Sequence, residues 1–267
     1  MSLLKSYINK KNESGEKVLS VFLTACFPCK KNFCDLVLAV FDAGADIIEL
    51  GFPFSDPLAD GKVIQRSSSE ALKSGVNLNF TLEQAERIKE KIDKPIVLMG
   101  YANSVLSYGI DKFAEDALES GVSGVIIPDV PLDEYDDFFT DKYNMLDTIL
   151  LTTPTSGDDR TIAIDKQSRG FLYYVSMTGT TGGKLDFNKY IIESLKHTAS
   201  LVKHNPLLVG FGISSSEDVK NFMPYCSGVI VGSAVIRALI NDNNKFSNTL
   251  KLIKDLKSAT YNFEVRN

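Results

Sequence analysis

The sequence predicts an α/β protein in which eight parallel strands close into one barrel. Eight short apolar runs alternate with longer helical patterns, no linker or low-complexity stretch interrupts them, and the 267 residues suit a single (β/α)8 barrel of about 250 residues. Apolar strands separated by helices pair in parallel, because a parallel crossover needs a long connection. We therefore expect one TIM-barrel domain over residues 1–267.

The predicted strands follow one another at regular intervals. They cover residues 18–25, 46–50, 95–99, 124–127, 148–151, 171–175, 206–209 and 228–231. The segments between them are amphipathic, as at 32–43, where apolar residues recur at helical spacing before Gly44 ends the helix. A doubly wound open sheet is the alternative, but the G-x-G-x-x-G turn that follows the first strand in such folds is missing here.

Charge and hydropathy exclude several classes of protein. The chain has 29 basic and 34 acidic residues, a net charge of −5, and its basic residues cluster no further than pairs such as Lys10-Lys11. Nucleic acid is therefore not an expected partner. No apolar run approaches the roughly 18 to 20 residues that span a bilayer, and residues 1–12 lack the apolar centre of a signal peptide. We expect a cytoplasmic protein with no membrane partner.

The cysteines present a weak metal or redox signal. They stand at positions 26, 29, 34 and 226, and the first two have C-x-x-C spacing. A second ligand pair is missing, because the two histidines, at 197 and 204, are remote in sequence. The sequence therefore predicts reduced thiols and no metal site.

One carboxylate lies near the end of the second predicted strand and another lies in the loop that follows it. Glu49 shares a face with Ile47 by period-two alternation, and burial there would raise its pKa and suit it to donate a proton near neutral pH. A structural carboxylate bonded to its neighbours is the alternative. Asp60 precedes a helix that begins near Lys62. It is either the helix N-cap or the partner of Glu49 in an acid and base pair.

Glycine-bearing loops after strands seven and eight predict a phosphate site. Gly212 and the pair Gly232-Ser233 stand near helix starts, where unpaired backbone N–H groups and the helix dipole bind phosphate. The Gly/Thr-rich loop 176–187 is long for a β-to-α connection. It is either a plain connection or a lid whose Gly182 and Gly183 N–H groups bind the same phosphate.

Apolar side chains near the strand ends predict a pocket for a flat ring. The candidates are Phe22, Met99, Tyr101, Ile126 and Phe211, each of which also fits the core. Tyr173 alternates onto one face with Phe171 and Val175. It therefore either fills the core or presents its hydroxyl to a ligand.

Residues 49–61, E-L-G-F-P-F-S-D-P-L-A-D-G, followed by Gln65, resemble the signature of the tryptophan synthase α subunit family. Matching segments follow in family order at 101–103, 127–131, 173, 178–183, 210–214 and 232–233. The resemblance implies a carbon–carbon lyase that cleaves indole-3-glycerol phosphate to indole and glyceraldehyde 3-phosphate in tryptophan biosynthesis. It also implies no cofactor in this chain and an α2β2 heterotetramer with a β subunit that carries pyridoxal phosphate.

The same resemblance implies roles for individual residues. Glu49 would protonate indole C3 and shuttle the proton, and Asp60 would take or stabilise the proton of the indole N–H. The remaining roles are phosphate binding by Gly182, Gly212, Gly232 and Ser233, indole binding by Phe22, Tyr101 and Phe211, and a place for Tyr173 beside the catalytic acid.

The chain departs from the family pattern at two positions. Cys26 stands where the family usually has Gly, and Lys62 replaces a frequent Pro. Because Gly permits dihedral angles that a side chain resists, we expect Cys26 to affect the first loop. Two other functions remain open: a lyase that acts without a partner, and a non-catalytic subunit that only activates a β partner. The presence of both Glu49 and Asp60 speaks against the second.

Overall fold

Eight parallel strands close into a barrel in the order in which they occur in the chain. The structure, a computed structural model, describes residues 2–176, 189–210, 212–242 and 245–261. The strands are β1 (Val18–Thr24), β2 (Ile47–Gly51), β3 (Ile96–Met99), β4 (Gly124–Ile126), β5 (Asp147–Thr152), β6 (Leu172–Val175), β7 (Leu207–Gly210) and β8 (Gly228–Val231). Each strand end lies within one residue of its prediction, and closure through pairing of β1 with β8 rules out the open sheet.

Helices surround the barrel. They are α1 (Leu3–Glu13), α2 (Phe33–Asp42), α3 (Lys62–Lys73), α4 (Leu78–Lys89), α5 (Ala102–Tyr108), α6 (Ile110–Glu119), α7 (Tyr135–Phe138), α8 (Asp158–Gln167), α9 (Lys189–Leu201), α10 (Ser216–Phe222), α11 (Ser233–Asn241) and α12 (Ser247–Ser258). Short 3-10 turns lie at Leu132–Glu134, Asp141–Met145 and Met223–Tyr225. None of the helices in the described ranges has the length and apolar character needed to cross a bilayer.

The strands bury both faces, as expected for a parallel barrel. One face packs against the helices. The other forms a separate interior cluster that contains Val18, Ile47, Val97, Ile126, Ile149, Phe171, Tyr173, Val175, Leu208 and Ile230. Leu4 and Ile8 of α1 belong to the same cluster, so α1 covers the end of the barrel where the strands begin. The opposite end, where the strands finish, is left for the functional loops.

A buried ion pair ties the last described helix to the barrel. Lys257 of α12 lies 2.7 Å from Asp46, which directly precedes β2, and both side chains are buried. Asp46 also accepts a hydrogen bond from the backbone N–H of Leu19 at 2.9 Å. The carboxylate therefore joins α12 to the start of β1 and β2.

Candidate active site

Glu49 lies inside the barrel in the middle of β2, as its alternation with Ile47 predicts. In the strand register it faces Phe22 of β1 and Val97 of β3, and it is 1% exposed. Ser20 donates a hydrogen bond to Glu49 Oε1 at 2.8 Å, whereas Oε2 has no partner among the described residues. Burial raises the pKa of Glu49 to about 8, and the Ser20 hydrogen bond opposes that rise. Glu49 is therefore suited to hold a proton at neutral pH.

Asp60 lies in the turn between β2 and α3 and is half-buried. The N-cap of α3 is Gly61, and no side chain caps this helix. The interpretation of Asp60 as an N-cap is therefore wrong, because the helix begins one residue too late for its carboxylate to serve. Burial raises the pKa of Asp60 to about 6, and a hydrogen bond with Tyr101 opposes the rise.

Tyr101 holds the turn that carries Asp60. Its ring stacks on Phe54, with centroids 5.4 Å apart and planes 28° apart. Its hydroxyl accepts a hydrogen bond from the backbone N–H of Ala59 at 3.0 Å. Because Tyr101 is the N-cap of α5, two residues after β3 ends, the turn is fixed against the rim of the barrel.

Tyr173 interacts electrostatically with both carboxylates. It lies on β6, with its side chain in the interior cluster beside Phe171 and Val175, and is 4% exposed. Burial raises its pKa well above the ordinary value, and the negative charges of Glu49 and Asp60 raise it further. Tyr173 therefore fills the interior, as one of its two predicted roles requires, and lies within electrostatic range of both acids. The other role, a hydroxyl presented to a ligand, stays a prediction.

A pocket adjoins Asp60 and Tyr101. Its lining consists of Phe22, Gly51, Phe52, Phe54, Asp60, Ser68, Met99, Gly100, Tyr101 and Pro128. Three of the five predicted ring-binding residues, Phe22, Met99 and Tyr101, therefore line it. Ile126, the register partner of Met99, is fully buried in the interior and does not line this pocket. Phe211 lies outside the described residues.

The two predicted phosphate loops differ in what their helices offer. Helix α11 begins directly after β8, with Gly232 at its N-cap, Ser233 as its first residue and no side-chain cap. Its first-turn N–H groups therefore lack an acceptor within the helix, which is the arrangement that binds anions. Gly182 and Gly183, the other predicted donors, lie outside the described residues.

Gly212 does not stand at a helix start. It has a left-handed φ of 78° and precedes α10, whose N-cap is Ser215. The carboxylate of Asp218 accepts hydrogen bonds from the N–H groups of Ser214 and Ser215, each at 2.8 Å. The helix-terminus argument is therefore wrong for Gly212, because the chain supplies its own anion to this helix.

Cys26 occupies the backbone conformation expected of a glycine. It follows β1 with a left-handed φ of 62°, and its side chain is buried. Burial raises the pKa of the Cys26 thiol to about 12. Cys29 is exposed, and the side chains that the structure describes form no cluster able to hold a metal ion.

Several lining and positioning residues escaped the sequence analysis. Ser20 is the most important of them, since it contacts Glu49 directly. Period-two alternation with Val18 and Phe22 was a usable signal for its inward direction. Its distance from Glu49 depends on the register between β1 and β2, which no local pattern specifies.

Comparison with known proteins agrees with this architecture. A family model described as tryptophan synthase alpha chain matches residues 8–264. The tryptophan synthase alpha chain of Petrotoga mobilis is 43% identical over 255 residues, which cover 94% of this chain and 96% of that one. That of Christiangramia forsetii is 38% identical and covers 95% and 99%. The solved tryptophan synthase subunit alpha of Legionella pneumophila superposes with a TM-score of 0.88 at 30% identity, covering 97% and 98%.

Proposed function

This chain belongs to the tryptophan synthase alpha chain family, and on that premise we propose that it cleaves indole-3-glycerol phosphate to indole and glyceraldehyde 3-phosphate. It does so as the α subunit of tryptophan synthase in tryptophan biosynthesis. One observation carries the chemistry: Glu49 and Asp60, both with raised pKa values, lie within electrostatic range of the same buried phenol, Tyr173. Two carboxylates held in different environments can divide acid and base roles between them.

The reaction moves one proton across the substrate. Glu49, protonated near neutral pH, donates its proton to indole C3, and the ring becomes an indolenine that can leave. Asp60 stabilises the positive charge at the indole N–H. The glycerol hydroxyl next to the ring then loses its proton to Glu49 while the C–C bond breaks, and the bonding electrons restore the aromatic ring. Glu49 ends the cycle protonated, so protons balance.

The remaining site residues bind the two ends of the substrate. We assign the indole ring to the pocket lined by Phe22, Met99 and Tyr101. The phosphate is assigned to the uncapped start of α11 at Gly232 and Ser233. The family resemblance adds Gly182 and Gly212 to the phosphate site and Phe211 to the ring, and the interpretation of loop 176–187 as a lid adds Gly183. This chain needs no cofactor for the cleavage.

A β subunit carrying pyridoxal phosphate is the proposed partner, in an α2β2 heterotetramer. Support comes from the family itself and from the tryptophan synthase of Mycobacterium tuberculosis, which superposes with a TM-score of 0.89 at 32% identity over 97% of this chain and 98% of that one. In this assembly the α reaction would supply indole to the partner.

The decisive experiment measures indole release from indole-3-glycerol phosphate by the purified chain, alone and with a β subunit. We expect slow release alone and strong stimulation by the partner. Full activity alone would favour a stand-alone lyase. No release in either case, together with activation of the partner, would favour a non-catalytic subunit and refute the proposal.

Substitution of the two acids tests their roles within the same assay. Glu49→Gln is expected to lower turnover by roughly 100-fold or more with little change in substrate affinity, because the group acts on the transition state. Asp60→Asn should act in the same direction but less severely. A wild-type rate in Glu49→Gln would remove this residue from the mechanism.

A further inference from the structure

We propose that Ser20 is a positioning residue that determines which oxygen of Glu49 carries the catalytic proton. The inference rests on the proposed lyase function. It starts from one contact: Ser20 Oγ donates to Glu49 Oε1 at 2.8 Å, and both side chains are buried, with 0% and 1% exposure. Oε2, the second oxygen, has no hydrogen-bond partner among the described residues.

The two oxygens of the protonated carboxyl are therefore not equivalent. If the proton is on Oε2, Oε1 remains a carbonyl oxygen and accepts the hydrogen bond from Ser20. If the proton is on Oε1, the Ser20 hydroxyl must turn to accept it, and its own hydrogen then needs another acceptor. The described residues offer Ser20 Oγ no hydrogen bond except that to Glu49. Each placement leaves one buried hydroxyl hydrogen without an acceptor among the described residues, either on Oε2 or on Ser20. Only a proton on Oε2 lies on the carboxyl oxygen that no protein group contacts, where a substrate can take it, so Oε2 carries the transferable proton.

Oε2 is the oxygen that remains available to substrate. Ser20 donates from β1 to Oε1, so we assign the substrate contact to Oε2, the oxygen without a protein partner among the described residues. The bond also limits rotation of the carboxyl group, since Oε1 is tied to a residue on a neighbouring strand of the same rigid barrel. Ser20 thus holds the acid in one protonation pattern and one orientation before substrate arrives.

Among the groups around Glu49, Ser20 has a distinct effect on the pKa of its carboxyl group. On the neighbouring strands, Phe22 and Val97 are apolar register partners of Glu49. The titratable group that interacts with it is Tyr173 from β6, which also interacts with Asp60 from the turn after β2. Within the described part of the chain, the Ser20 hydrogen bond is what lowers the Glu49 pKa against the effect of burial. Removing the hydroxyl should therefore raise that pKa.

The test compares pH profiles of kcat and KM for wild type, Ser20→Ala and a matched control. Ser168→Ala is the control, because Ser168 is also buried but bonds only to backbone, donating to the carbonyl of Phe171. In the wild type we expect activity to fall above about pH 8 as Glu49 ionises. Ser20→Ala should lower kcat by roughly tenfold and leave KM nearly unchanged. It should also raise the pH at which activity falls by about half a pH unit.

A second measurement keeps the inference independent of activity. Titration of the Glu49 side-chain carboxyl by carbon NMR should show a higher pKa in Ser20→Ala than in wild type and no change in Ser168→Ala. If wild type releases no indole, the lyase function fails while this titration still tests the Ser20–Glu49 contact. The inference would be overturned if Ser20→Ala changed neither the pH at which activity falls nor the pKa of Glu49 measured by NMR. A loss of kcat equal to that of Ser168→Ala would also overturn it.

Discussion

Tyr173 can occupy the barrel interior because residue 210 on the neighbouring strand is glycine. A Cβ atom built on Gly210 would lie 2.5 Å from Cζ and 2.6 Å from Cε1 of the Tyr173 ring, closer than side-chain atoms approach in folded proteins. The missing side chain on β7 therefore makes room for the phenol that lies within electrostatic range of both Glu49 and Asp60.

Replacing Gly210 with alanine tests this relationship. The new methyl group must displace the Tyr173 ring, and displacement of a positioned group by about 1 Å can cost on the order of 100-fold in rate. We expect Gly210→Ala to lower kcat strongly in the indole-release assay. Gly157→Ala is the control, since a Cβ there would meet nothing within 4 Å. Equal activity of the two variants would contradict the prediction.

Glu49 should make the protein less stable as pH rises. Its pKa is about 8 in the folded state and 4.5 ordinarily, so the folded state binds the proton more tightly. Its contribution to stability is therefore full below pH 4.5 and is lost as pH rises to about 8, a total on the order of 5 kcal/mol. Glu49→Gln removes this dependence. In urea unfolding, the free energy of unfolding of the variant should exceed that of the wild type by more at pH 9 than at pH 6. An equal difference at the two pH values would contradict this prediction.

The buried pair of Asp46 and Lys257 should matter far more than an exposed pair on the same helix. Lys257→Met leaves the Asp46 carboxylate buried, with Lys11 at 3.6 Å as its remaining ion-pair partner in the described part of the chain, and should cost about 3 kcal/mol or more. Lys251→Met removes an exposed pair with Asp255 and should cost about 1 kcal/mol or less. Denaturant unfolding of both variants decides it, and equal losses would refute the expectation.

The left-handed conformation of Cys26 predicts an order of stability between two small replacements. Both Cys26→Gly and Cys26→Ala remove the thiol, but only glycine adopts a φ of 62° without strain. We expect the glycine variant to be more stable than the alanine variant by about 0.5 to 1 kcal/mol, since the strain exceeds the extra unfolded-state entropy of glycine. Thermal unfolding measures the difference. A more stable alanine variant would show that the loop relaxes.

Several features of the site were readable from local sequence. Alternation with Ile47 placed Glu49 inside the barrel, because strand periodicity is a property of a few neighbouring residues. Other features depended on contacts that sequence spacing does not reveal. Asp60 was a plausible N-cap for α3, and only the folded chain showed that the helix uses Gly61. Asp218, similarly, occupies the N-terminus of α10 that had been assigned to a ligand.

The sequence by itself determined the eight strands, the closed barrel and the two acids. Apolar periodicity and the motif at residues 49–61 are patterns that can be recognised within short stretches of the chain. Only the tertiary structure decided what each acid contacts. Ser20 meets Glu49, and Gly210 admits Tyr173, through the register of neighbouring strands and the curvature of the closed barrel. Both are set by packing of the whole ring of strands, so no single segment contains them.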